Sequence, residues 1–220
     1  MKVVISGAGN VGRHLASDLH DRGHDVTLIE QDRTIAERVR TELPSGVTVI
    51  HGDACEPYVL DEAKLNEADV LVAATGDDED NLVSSLLAKQ EFAVPRVVAR
   101  VNHPRNEWMF TEQWGVDAAV SPPHLLTALV EEAVTVGDVV RLLKLERGQV
   151  TLVELTLRGD SAMVGRAMYE LRLPVDSSIV AIVREGHVVI PQPETVLAPG
   201  DELIAIATPD AEEDLHKALE

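Results

Sequence analysis

Residues 1–15 read MKVVISGAGNVGRHL, and three glycines within them decide the fold. Gly7, Gly9 and Gly12 stand at the spacing G-x-G-x-x-G. Val3-Val4-Ile5 before them is the short apolar run of a strand buried on both faces. The stretch from Val11 to Arg22 after them has helical spacing. Strand, glycine turn and helix in that order open a dinucleotide-binding fold. Gly7 permits the tight turn, Gly9 lets the backbone approach a pyrophosphate, and Gly12 lets the helix pack on the strand. Phosphates then sit at the positive helix N-terminus, near Asn10 and Val11.

Working outward, apolar runs alternate with helical patterns. Val26–Ile29, Val47–Ile50, Val70–Ala74, Val97–Ala99 and Ala118–Val120 read as further buried strands. Asp32–Leu43, Pro57–Leu65, Asp80–Glu91 and Pro104–Trp114 read as helices between them. That alternation predicts an α/β fold, a Rossmann-like, doubly wound parallel sheet with helices on both faces. Ser121 then caps a helix with prolines in its first turn. Its stripe Leu125, Leu126, Leu129, Val130, Ala133 and Val134 packs either on its own domain or, as a crossover helix, on a second subunit.

After Gly148 the pattern changes. Val150–Leu157 alternates like a half-buried antiparallel strand. Gly165–Leu173 reads as a short helix ended by Pro174. SIVAIVREGHVVI reads as a hairpin turning at Glu185-Gly186. APGDELIAIAT is a turn and a strand, and a last helix starts with Thr208 as cap and Pro209 inside it. The expected organisation is a nucleotide-binding domain over 1–120, crossover or linker helices over 121–147, and a small α+β domain over 148–220.

Composition narrows the function. The chain has 220 residues and a formal net charge of -19. Both halves are acidic, which argues against binding nucleic acid or an anionic lipid surface. One cysteine, Cys55, excludes an internal disulfide and a Cys-based zinc site, and fits a reducing cytoplasm. No apolar run is long enough to span a membrane, and no signal peptide precedes the first strand, so no direct membrane insertion is expected.

The later strand ends supply the rest of a nucleotide crevice. Glu30 closes the second strand, where a carboxylate accepts ribose hydroxyls and repels a 2′-phosphate, disfavouring NADP. Asp53 and Ala54, after the third strand, either meet an adenine edge or, for Asp53, cap the next helix. Thr75 and Gly76, after the fourth, lie near ribose and phosphates. Asp77 to Asp80 read as helix-capping acids. Arg100 ends the fifth strand, where it reaches a phosphate or makes a surface ion pair.

No catalytic constellation accompanies this site. There is no Tyr-x-x-x-Lys pair and no G-x-S-x-G elbow, and His14, His20, His24 and His51 read as surface or helix-end residues, so neither catalytic nor metal residues are expected. A dehydrogenase needs an acid or base beside the nicotinamide. The nucleotide therefore reads as a signal; a small NAD-dependent reductase is the enzyme alternative.

MKVVISGAGNVGRHLASDL, LIE, GDA, DVLVAATGDDEDNLVSSLLAK, VVARVNHPRNE and GVDAAVSP together resemble the RCK (regulator of K+ conductance) N-terminal domain. IVAIVREGHVVIPQPETVLAPGDELIAIAT is similar to its C-terminal partner domain. The order of motifs resembles the TrkA/KtrA family, the cytosolic regulatory subunits of Trk/Ktr potassium uptake systems. The resemblance implies binding of NAD(H), or of ATP and ADP, by Gly7, Ala8, Gly9, Asn10 and Val11, then Glu30, Thr75, Gly76 and Arg100, with Asp53 and Ala54 as additions. Some members carry an arginine in the glycine loop facing a terminal phosphate; Asn10 stands here, which favours NAD(H). The resemblance further implies a homodimer through the crossover helix and a ring of dimers. That ring gates a membrane potassium-translocating subunit from the cytoplasm, at the inner face of the plasma membrane. A sensing module for another transporter is the alternative. Some members bind cyclic di-AMP between small domains, which would involve Arg172, Ile179 and Val180 here.

Overall fold

The computed structural model describes residues 1–134, 139–145 and 150–219. They form two compact units, Met1–Pro123 and His124–Glu220.

The first unit alternates strands and helices: β1 (Lys2–Ser6), α1 (Asn10–Asp21), β2 (Asp25–Glu30), α2 (Arg33–Glu42), β3 (Thr48–His51), α3 (Pro57–Glu62), β4 (Val70–Ala73), α4 (Asp78–Gln90), β5 (Arg96–Arg100) and β6 (Ala118–Val120). The sheet is parallel, in the order β3-β2-β1-β4-β5-β6. That is the doubly wound order, in which the chain reverses direction between β1 and β4. Both faces are covered. Val3, Ile5, Val26 and Leu28 pack against Leu15, Ala16 and Val39 of α1 and α2. Val4, Ile29, Ile50, Leu71 and Val97 pack against Val59, Leu60 and Ala88 of α3 and α4. β1 and β2 are buried along nearly their whole length, which is why they read as unbroken apolar runs, while β3 and β6 at the sheet edges are more open.

The stretch Pro104–Trp114 is not the one helix its pattern suggests. Two 3₁₀ segments, Pro104–Met109 and Glu112–Trp114, take its place. Phe110 between them turns into the core beside Leu82, Ala99 and Val101. The Asp78 carboxylate takes the backbone N–H groups of Asn102 and His103 and the Asn106 amide, anchoring the start of this stretch. The Pro57–Leu65 reading likewise breaks at Lys64, whose φ is 51°.

α5 (Pro122–Val134) leads from the first unit into the second, where β7 (Val139–Leu145), β8 (Val150–Thr156), β9 (Ser177–Arg184), β10 (His187–Val189), β11 (Glu202–Ala207) and α6 (Pro209–Leu219) follow. The antiparallel sheet runs β10-β9-β11-β8-β7. Buried positions alternate along β8 and β11, and the buried face packs on Ala211, Leu215 and Leu219 of α6. Glu185 and Gly186 both take positive φ, 50° and 76°, as the two-residue hairpin turn requires.

Two differences from the sequence reading stand out here. β7 lies within the stretch expected to be linker helix. Its pairing with β8 shifts register between Arg141 and Leu143, and such an irregularity erases the period-two signal that identifies a strand. Gly165–Leu173 holds only one 3₁₀ turn, Met168–Glu170. Its N–H groups are spent elsewhere: Gly165 donates to Leu197, Met168 to Thr195 and Tyr169 to Pro193. The segment follows the 193–197 loop rather than coiling on itself.

Candidate functional site

The first unit has a cavity of about 260 Å³ at the carboxyl ends of its strands. In an open α/β sheet that is the ligand crevice, at the point where strand order reverses. Gly7 and Gly9 line it after β1, Glu30 at the end of β2, Asp53 and Ala54 after β3, Thr75 and Gly76 after β4, and Arg100 at the end of β5. Eight of the twelve expected residues thus line one cavity.

The glycines divide their work. Gly7 has φ +97°, and a Cβ there would lie 2.8 Å from the Thr75 Cα. A Cβ on Gly12 would run into the Gly7 carbonyl, so Gly12 serves the helix–turn contact and does not line the cavity. A Cβ on Gly9 would meet nothing within 4 Å. The space over Gly9 is open on the cavity side, where a ligand can approach the backbone. Asn10 and Val11 stand outside the lining, in the first turn of α1, whose N-cap Gly9 offers no side-chain cap. Their N–H groups point along the helix axis, where an anion gains from the dipole. The Asn10 side chain instead accepts from Arg13, which also pairs with Glu42 at 2.8 Å.

Glu30 is 9% exposed. Its Oε2 accepts the Ala8 N–H at 2.8 Å and its Oε1 the Asp32 N–H at 2.9 Å. Ala8 thereby acts through Glu30, not on the cavity. Each carboxylate oxygen keeps a second lone pair, so the group is oriented yet still able to accept hydroxyls.

Arg100 is the cation of this cavity, and its Nε is buried with no hydrogen-bond partner among the described residues. A guanidinium lining a cavity offers an anion charge-assisted hydrogen bonds. Opposite in sign is a carboxylate cluster. Burial, together with Asp77 and Asp53, raises the Asp80 carboxyl above its ordinary value. Burial, with Asp80 and Asp53 beside it, pushes the Cys55 thiol up to about 12. Such a thiol is protonated at neutral pH and is no nucleophile. Asp53 accepts the Cys55 N–H at 2.8 Å, a local turn bond rather than a cap on α3.

Of the four acids read as helix caps, Asp77 is one: it accepts the N–H groups of Glu79 and Asp80. Asp78 is not. It is 1% exposed and holds the 102–106 loop. Burial alone would raise its pKa, but the hydrogen bonds from Asn102, Asn106 and His103 hold it below the ordinary value. Asn81, which the sequence reading passed over, is fully buried and bonds both the Thr75 and Arg100 backbones. Asn81, Ser84 and Ser85, all 0% exposed, form a polar stripe at helical spacing that could have drawn notice.

In the second unit Ile179 packs in the core, while Arg172 and Val180 are exposed. Among the described residues no His, Cys, Asp or Glu group could hold a metal ion, and no helix is long and apolar enough to cross a membrane.

Comparison with known proteins agrees with both units. The TrkA-N domain model matches residues 3–122 and the TrkA-C domain model residues 152–220. The Trk system potassium uptake protein TrkA of Mycobacterium tuberculosis is 49% identical over 100% of this chain and 98% of its own. The chain belongs to the TrkA family. A TrkA homolog of Methanothermobacter thermautotrophicus is 37% identical over 96% of this chain and 95% of its own. Among solved structures, the GsuK channel bound to NAD superposes with a TM-score of 0.63 at 21% identity. It covers 100% of this chain, which spans 39% of that one. The TrkA-N domain of the Escherichia coli inner membrane protein ybaL superposes with a TM-score of 0.54 at 19% identity, covering 61% of this chain and 96% of that one. These likenesses extend the TrkA assignment to a shared fold.

Proposed function

We propose that this TrkA-family chain is a regulatory subunit of a Trk-type potassium uptake system that senses an adenine nucleotide. The observation that carries the reading is the pairing of two unfinished groups across one cavity. Glu30 is oriented with lone pairs to spare, and Arg100 is buried with Nε unpartnered among the described residues. Ribose belongs on Glu30, phosphates on the glycine loop and Arg100, and adenine toward Asp53 and Ala54. The acidic wall of Asp53 and Asp80 keeps phosphates on the opposite side. Ligand pockets run from about 300 to 1,000 Å³, so about 260 Å³ suits a mononucleotide-sized half, with the remainder of a dinucleotide lying beyond it. NAD(H) is favoured because Asn10 stands in the glycine loop where an arginine would face a terminal phosphate; ATP or ADP is the second ligand class. Structural neighbours bound to NAD and to ADP support both.

The membrane partner is a potassium-translocating subunit, as the Trk system names of the relatives support. The working unit is a dimer, and rings of dimers, on the cytoplasmic side. Leu126, Leu129 and Val130 of α5 are 64%, 55% and 61% exposed, an aliphatic face suited to a second copy; the Ala133 and Val134 side chains lie outside the described residues. Nucleotide that binds one arrangement of the dimer better than another shifts the population and gates transport. Co-purification with the neighbouring potassium-translocating subunit, followed by flux with and without NADH or ADP, tests this. Nucleotide-independent flux through a formed complex would overturn it, and hydride transfer to a carbonyl panel would revive the reductase reading.

A further inference from the structure

The ladder between β4 and β5 ends at Ala73 and Ala99. Beyond it the strands part, and Val101 already donates its N–H to Val120 of β6. Arg100 pairs with Val120 of β6, but no β4–β5 rung joins it to Thr75, the cavity residue on the other side of the gap. Asn81 bridges that gap. Its Oδ1 accepts the Thr75 N–H at 2.9 Å and the Thr75 hydroxyl at 2.8 Å. Its Nδ2 donates to the Arg100 carbonyl at 2.9 Å. One amide thus replaces the missing rung of the ladder. Asn102 reinforces it by donating to the Thr75 carbonyl at 3.1 Å while Asp78 holds Asn102 in turn. Asn81 does not line the cavity and is 0% exposed, so it reaches a ligand only through its neighbours.

We propose that Asn81 is a positioning residue of the nucleotide site, fixing the gap between the β4 and β5 exits and with it the aim of Arg100. The inference rests on the nucleotide reading above. An amide suits the task because it accepts on one side and donates on the other. A carboxylate would meet the Arg100 carbonyl with a second acceptor, and a shorter hydroxyl would reach only one strand.

The test is a double-mutant cycle on the full chain, read by calorimetric titration with ADP. Arg100→Gln should weaken ADP at least tenfold. Asn81→Ala should weaken it by a similar factor. In the Arg100→Gln background, however, Asn81→Ala should cost less than twofold, because the group it aims is gone. A merely structural role would give effects that multiply. Asn81→Ser replaces Asn81→Ala should the alanine variant unfold, with circular dichroism as the check. Unchanged ADP affinity in a folded Asn81 variant, or multiplying effects, overturns the positioning role alone. A wild-type chain that binds neither ADP nor NADH overturns the nucleotide reading, and this inference with it.

Discussion

The cavity of the first unit and the core of the second treat buried charge in opposite ways. In the second, Asp201 is 0% exposed and closed on every side: Arg184 grips it at 2.7 and 2.8 Å, and the Ala198 N–H donates to it at 2.8 Å. In the first, Arg100 carries a buried Nε without a partner among the described residues, and the Glu30 carboxylate is held but not used up. A charge closed by its own chain serves the fold, whereas one that lines a cavity with bonding capacity to spare is available to a ligand. The sheets differ in the same direction. β1 and β2 are buried along nearly their whole length, leaving function to the strand ends. β8 and β11 alternate, with only one face in the core.

The sharpest way to break this contrast is to open the closed pair. Arg184→Met should destabilise the chain by about 3 kcal/mol, the low end for breaking a buried pair, because the Arg184 side chain is itself 37% exposed. Urea unfolding would measure the loss, and ADP affinity should stay within twofold. A loss below about 1 kcal/mol, the range of a surface pair, would mean that Asp201 is less committed to Arg184 than its geometry implies.

The glycine loop sharpens the contrast from the other side. Gly7→Ala forces a side chain into φ +97° and against the Thr75 backbone, at a cost of about 2 kcal/mol. Gly9→Ala meets nothing within 4 Å, so stability should hold while nucleotide affinity falls tenfold, about 1.4 kcal/mol. Thermal melts with and without NADH separate the two. NADPH should raise the wild-type melting temperature far less than NADH, since stabilisation follows affinity for the folded state; equal shifts would remove Glu30 from the ribose site.

How much of this was legible depended on whether a residue acts through its own local pattern. The glycine spacing, the acid closing β2 and the six short apolar runs are local signals, and they led to the parallel sheet and to eight cavity residues. Asn81 and Asp78 were misread or passed over because their partners are distant in sequence: Arg100, Asn102, His103 and Asn106. From sequence, an acid near a helix start reads as a cap, and only Asp77 among the four is confined to that role. β7 was missed because a register shift breaks its alternation. The 165–173 segment was misread as a helix because its backbone donors go to the 193–197 loop, which periodicity does not register, whereas 104–114 splits into two 3₁₀ turns around the buried Phe110.

The smallest effect expected is also the one that contrasts the units by sign. Asp201 is a carboxyl that burial would raise, but the Arg184 guanidinium and the Ala198 N–H hold it below its ordinary value. Its folded pKa lies below the unfolded value of about 3.9. Its contribution is therefore complete at pH 5 to 7 and disappears as pH falls through the folded value. Asp80, in the open cavity, is shifted upward by burial and by its acidic neighbours Asp77 and Asp53. Its ionised form is a cost above that raised value, and acid relieves it. Asp201→Asn should thus lower stability at pH 7, whereas Asp80→Asn should raise it slightly, by on the order of half a kcal/mol or less. The gain is small because Asp80 also sits in the first turn of α4, where the helix dipole favours a negative charge. It should shrink as pH is lowered toward 4, when wild-type Asp80 begins to take up its own proton. Denaturant midpoints of both variants between pH 7 and 4 read the two signs directly. A loss of stability on Asp80→Asn would mean that the cavity acids are as firmly partnered as Asp201, and the contrast between an open and a closed unit would fail at that wall.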